Sequence, residues 1–136
     1  MQRRIFFSRI VAGTMLTGTA MPLWATSVIG DPAPAGTSEA IQHMVIFDLK
    51  HEKGSAAEAR FLADGKAILT AIPTVQEFRV LDQVSPKNDY DFGFSMVFAS
   101  KADYETYNNH PDHQSFVENR WKKEVARFLE IDFKAH

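Results

Sequence analysis

The chain has 136 residues, 45% of them hydrophobic and 11 of them Phe, with a formal charge of −2. That is enough apolar side chain for one domain with a real core, and too little positive charge to suit a nucleic-acid partner. The absence of cysteine excludes disulfides, thiolate metal sites and lipid attachment through sulfur.

Residues 1–35 read as an export signal and linker, and residues 36–136 as the folded domain. Arg3, Arg4 and Arg9 precede and enter a weakly apolar run, Ile10 to Ala25, that Gly13, Gly18 and three threonines dilute. The run is too short and weak for a stable membrane span. Arg3-Arg4-Ile5-Phe6-Phe7 resembles the twin-arginine signal, although Gln2 and Ser8 depart from its usual flanks and a general secretory signal stays open. Cleavage after Ser27 or after Ala35 satisfies the small-residue rule, and a periplasmic or secreted location is expected. Losing Arg3, Arg4, Arg9 and Asp31 takes the chain from 15 basic and 17 acidic residues to 12 and 16. A mildly acidic domain of this kind suits neither phosphate backbones nor anionic membranes.

Ile41 to Lys50 alternates as a strand, with His43, Val45, Phe47 and Leu49 on one face and Met44 and Ile46 on the other. Ser55 and Glu58 have capping-box spacing at the start of a helix that buries Phe61, Gly65, Ile68, Leu69 and Ile72 and stops at Pro73. Val75 to Leu81 predicts a second strand, and Gln83 to Asp91 a polar loop. Phe92, Phe94, Met96 and Phe98 form the bulky face of a third strand, whose other face is small. Ser100 and Asp103 repeat the capping spacing ahead of a short helix through Tyr104 and Tyr107.

The stretch Tyr107 to His113 then forces a bend, because Pro111 lacks an amide donor and belongs in the first turn of a new helix. That helix is expected to run to about Arg127, with Phe116, Val117, Trp121, Val125 and Phe128 as its apolar stripe and His113 at the stripe's edge. Leu129 to Phe133 closes the domain as a fourth strand. The order β-α-β-β-α-β predicts an α+β, ferredoxin-like sandwich: a four-stranded antiparallel sheet with its helices on one face. Met44, Ile46, Val97 and Ala99 are left on the other face, so a homodimer packed sheet against sheet is expected.

The candidate site lies at the bend. Tyr107 and His113 are the candidate catalytic pair, and His43, Phe47, Phe94 and Trp121 the candidate cavity lining for a small apolar or aromatic ligand. Each has a plainer alternative. His113 can serve as a helix-start residue bonded to nearby backbone, His110 as the cap of the new helix, Tyr107 as a core aromatic, and His43 as a satisfied core histidine. His43, His110, His113 and Asp112 do not have the spacing of a dedicated zinc site. No phosphate loop, nucleophile elbow or dinucleotide fingerprint occurs, and no metal or cofactor is expected.

The first strand Ile41 to Phe47, the helix ending Ile72-Pro73, the Tyr-x-x-His-Pro-x-His stretch from Tyr107 to His113 and the closing Leu129 to Phe133 together resemble a stress-responsive A/B barrel (Dabb) domain. The resemblance implies a dimeric α+β barrel with a cavity between each sheet and its own helices. In a plant member that closes a polyketide by aldol condensation, a Tyr and a His of the same stretch carry the reaction. The resemblance places them at Tyr107 and His113, with a first-strand His at His43. A further His of that enzyme falls at Phe92 here, and its last-helix Trp is not at the position of Trp121. Two functions follow as expectations. One is an exported barrel that binds an apolar ligand or serves stress tolerance; the other is a cofactor-free lyase, cyclase or monooxygenase-like enzyme using Tyr107 and His113.

Overall fold

In a computed structural model that describes residues 39–136, the first strand, β1 (Ile41–Leu49), sits inside the sheet. The export-signal reading of residues 1–35 concerns a segment outside the described residues. β1 is followed by α1 (Ala56–Thr70), β2 (Gln76–Asp82), β3 (Phe92–Phe98), α2 (Lys101–Asn109), α3 (Pro111–Phe116) and β4 (Val125–Lys134). The sheet order is β2-β3-β1-β4 with every pair antiparallel. This is the expected ferredoxin-like arrangement.

The helix starts follow from short polar side chains. Ser55 Oγ accepts the Glu58 amide at 3.2 Å, and Glu58 Oε1 accepts the amide of Gly54, one residue before the partner a reciprocal box uses. Ser100 Oγ accepts the Asp103 amide at 3.1 Å. Pro111 occupies the first turn of α3, and His110 caps it by accepting the Asp112 amide on Nδ1.

The expected boundary near Arg127 is corrected. Helix α3 passes into a π-helical turn, Val117–Trp121, and a last turn, Lys122–Glu124, and β4 already begins at Val125. Val125 and Phe128 share helical spacing with Trp121, but pairing with β1 claims them: Leu49 faces Val125 and Phe47 faces Phe128 across the ladder. A strand here satisfies both backbone and side chain, so the helical period is overridden.

Phe47, Phe61, Phe94, Phe98, Ile72 and Met96 are the largest wholly buried side chains, each worth about 1.5–3 kcal/mol of apolar transfer. Arg120 ties the helices together, bonding Asp64 of α1 at 2.7 Å and Glu124 on its own turn, with its guanidinium over the Phe61 ring. On the far sheet face Met44 pairs with Ile131 and Ile46 with Leu129. Leu129 and Phe133 are about half exposed, at 49% and 55%, so this face is apolar and uncovered within one chain. Among the described residues no helix is long and apolar enough to cross a membrane.

Candidate functional site

Tyr107 is brought to the core by α2, and its side chain is 3% exposed. The bend at His110-Pro111 turns the chain back so that the His113 ring stands 4.2 Å from the Tyr107 ring, centroid to centroid. His113 Nδ1 lies 3.2 Å from the carbonyl oxygen of Asn108. A carbonyl can only accept, so Nδ1 carries the proton and Nε2 keeps its lone pair. Burial pushes the imidazole below its ordinary value of 6.5, against the pull of that hydrogen bond, and the nearby His43 adds to the lowering. The ring is therefore neutral at neutral pH. Burial likewise pushes the Tyr107 phenol up, so it remains a donor.

These two side chains open onto a cavity of about 360 Å³ between β1, β3 and β4 on one side and α1 to α3 on the other. Its size lies near the low end of small-molecule sites, roughly 300–1,000 Å³. Of the four expected lining residues, His43, Phe94 and Trp121 line it. Phe47 does not. It is wholly buried against Phe61, Phe92, Phe94 and Trp121, one layer beneath the wall, because Trp121 and Phe128 cover it.

His43 is 4% exposed, and Nδ1 lies 2.6 Å from Asp132 Oδ1. The two residues face each other directly across β1 and β4. Tyr104, one helical turn before Tyr107, donates its hydroxyl to Asp132 Oδ2 at 3.1 Å, and its oxygen lies 3.0 Å from His43 Nδ1. Burial, then the Asp132 carboxylate, pushes the Tyr104 phenol up and keeps it protonated. The sequence reading missed Tyr104, Asp132 and also Glu130, which lies across from Val45 and lines the cavity. The alternation of β4 put Glu130 and Asp132 on one face, but nothing local set that face against His43. Tyr104 could have been found from its spacing of three residues from Tyr107.

Among the described residues, Thr74 Oγ1 is the one side-chain polar atom both sealed from solvent and lacking a partner. Among the described residues, Tyr107 Oη and His43 Nε2 also have no protein hydrogen-bond partner but are not sealed from solvent, and both side chains line the cavity. Tyr107, His43 and His113 thus bring polar atoms to a wall built mainly by Phe94, Met96, Phe116 and Trp121, with Lys122 and Glu130 as the charged residues of its lining. Among the described residues no group of three or more His, Asp or Glu could hold a metal ion.

Comparison with known proteins bears on the whole domain. Residues 41–135 match the family model described as Stress responsive A/B Barrel Domain. A Dabb family protein with a ferredoxin-like fold from Mesorhizobium loti is 55% identical, with 71% of this chain and 97% of that one covered and a TM-score of 0.71. The hydroxynitrile lyase of Passiflora edulis is 14% identical over 73% of this chain and 95% of its own, with a TM-score of 0.64. A dimeric ferredoxin-like protein of unknown function from Jannaschia is 22% identical over 71% and 99%, with a TM-score of 0.57. The last two share the fold alone. No curated protein matches the sequence.

Proposed function

The chain belongs to the stress responsive A/B barrel domain family, and from that premise we propose that it acts as a homodimeric barrel whose cavity takes up one small, largely apolar molecule bearing a carbonyl or hydroxyl oxygen. One observation carries this reading: the Tyr107 hydroxyl and two imidazole nitrogens, without protein partners, in a mostly apolar wall. These groups keep hydrogen-bonding capacity free: a ligand oxygen can accept the Tyr107 hydroxyl, and a ligand hydroxyl can donate to an imidazole Nε2. The dimer is supported by the uncovered apolar face of Met44, Ile46, Leu129 and Ile131 and by structural relatives described as dimeric. Export rests on the Arg3-Arg4 pair ahead of its weak apolar run.

The test is mass spectrometry of what co-purifies with the protein from its own host. A single class of small apolar oxygen compound, bound one per cavity and lost in Tyr107→Phe, is expected. Empty protein that also binds no aromatic probe such as nitrobenzene would overturn the reading.

A second reading, cofactor-free proton transfer on a carbonyl ligand, is favoured by the contact between Tyr107 and His113. Neutral His113 would take a proton from the carbon beside the carbonyl onto Nε2, the C–H pair would move toward oxygen, and Tyr107 would donate to the developing oxyanion.

A further inference from the structure

We propose that Nε2 of His43 is a second proton-accepting atom of this cavity, held by Asp132 and Tyr104 as positioning residues, and that the ligand is therefore a weak acid such as a phenol or an enolisable carbonyl compound. The proposal rests on the cavity being a ligand site and adds what that site does to its occupant.

The geometry assigns each atom. Asp132 Oδ1 stands 2.6 Å from Nδ1, so Nδ1 carries the proton and Nε2 the lone pair. Register sets the pair, since His43 and Asp132 are direct neighbours across the ladder, and the Tyr104 hydroxyl holds the second carboxylate oxygen at 3.1 Å. The carboxylate thus has both oxygens engaged and one orientation, which fixes the imidazole tautomer as an outer carboxylate does for a general base. Around this ring stand Tyr104 and Tyr107 from α2 and Asp132 from β4, while Glu130 of β4 and His113 of α3 line the same cavity. The two imidazoles differ in one respect. His113 leans on a neutral carbonyl, whereas His43 leans on a carboxylate. A proton arriving at His43 makes an imidazolium against a fixed negative charge.

The step balances simply. The ligand's acidic proton passes to His43 Nε2, the bonding pair stays on the ligand as an oxyanion or enolate, and the oxyanion accepts the Tyr107 hydroxyl. No oxidant or second substrate enters.

Two measurements on the full chain test this. In nitrogen-15 NMR of the ligand-free protein, the neutral form of His43 should carry its proton on Nδ1 and leave Nε2 bare. That preference should weaken in Asp132→Asn and Tyr104→Phe and persist in His113→Ala. A wild-type His43 protonated at Nε2 alone would overturn the proposal without touching the cavity reading. The second uses 4-nitrophenol, whose phenolate absorbs at longer wavelength than the phenol, with nitrobenzene as a non-acidic control. Below its solution pKa the bound probe should be phenolate in wild type. In Asp132→Asn its ratio of phenolate to phenol should fall about tenfold or more, a shift of one pKa unit, with nitrobenzene affinity unchanged. Ionisation lost in His113→Ala and kept in Asp132→Asn would transfer the role to His113 and end the proposal, as would 4-nitrophenol bound only as the neutral phenol. If neither probe binds, the cavity reading itself fails and the proposal with it.

Discussion

Gly65 of α1 lies against the Phe94 ring so closely that a β-carbon added at Gly65 would stand 2.8 Å from Phe94 Cζ and 3.3 Å from Phe116 Cζ. Both rings line the cavity, so this one missing methyl sets how far the cavity extends toward α1. Gly65→Ala has two effects of opposite sign on stability. Alanine favours the helix by about 1 kcal/mol, and displacing a packed phenylalanine costs a similar amount. The melting temperature should therefore change little, while Phe94 moves into the cavity and affinity for nitrobenzene falls about tenfold, or 1.4 kcal/mol. Unchanged affinity by titration calorimetry would place the binding space elsewhere.

Tyr107→Phe removes one oxygen from the cavity wall and leaves the packed ring. With Trp24 replaced by Phe, Trp121 is the one tryptophan left of the two in the sequence, and it reports directly from the wall. Quenching titrations with 4-nitrophenol should show affinity lost by about 1 kcal/mol or more in Tyr107→Phe, and nitrobenzene affinity unchanged. If the proton-transfer reading holds, Tyr107→Phe and His113→Ala each slow solvent deuterium exchange into an enolisable ketone probe by about 10²-fold. Equal exchange in wild type and both variants would discard that reading.

The lowered His113 pKa makes stability depend on pH with a definite sign. Between the folded-state value and the ordinary 6.5, the unfolded chain binds more proton at this residue than the folded one. Stability contributed by the neutral ring is therefore present above about pH 6.5 and is lost as pH falls below it. Glu124, which burial alone would push up, is held below its ordinary 4.5 by hydrogen bonds from Arg120 and His51, so its contribution is lost only at more acid pH. Thermal melts of wild type and His113→Gln from about pH 7.5 to 5 should show a slope that flattens in the variant. Parallel curves would mean that His113 is not held neutral by burial.

The uncovered sheet face predicts association. Val97→Asp places a charge on that face beside Gln42 and Gln76. In a dimer the cost is several kcal/mol of unpaired burial, whereas in a monomer the charge meets water. Sedimentation should show wild type as a dimer at micromolar concentration, and the variant as monomer or aggregate. A monomeric wild type would remove the sheet-to-sheet arrangement.

For export, Arg3 and Arg4 replaced together by Lys should keep the protein in the cytoplasm if the twin-arginine route carries it. Normal periplasmic accumulation of this variant rejects that route and leaves a general secretory one.

Features that depend on neighbours within a few residues were legible in the chain alone. Alternation in β1 and β3 selected the buried faces, Ser55 and Ser100 marked two helix starts, and Pro111 marked the third, because caps and pleats are set within one turn or one strand. The contact between Tyr107 and His113 was legible for the same reason, as one bend spans both. The end of the last helix was not, since Val125 and Phe128 satisfy the helical period as well as the strand and only pairing with Leu49 and Phe47 decides between them. The His43–Asp132–Tyr104 cluster was equally invisible, because it joins residues 89 and 61 positions apart through the ladder and a docked helix. Phe47 was placed on the correct face, but whether it lines the cavity or lies beneath the wall depends on where Trp121 and Phe128 come to rest. Local backbone preference chose the elements; long-range register and packing chose which polar atoms were left without partners, and those atoms define the site.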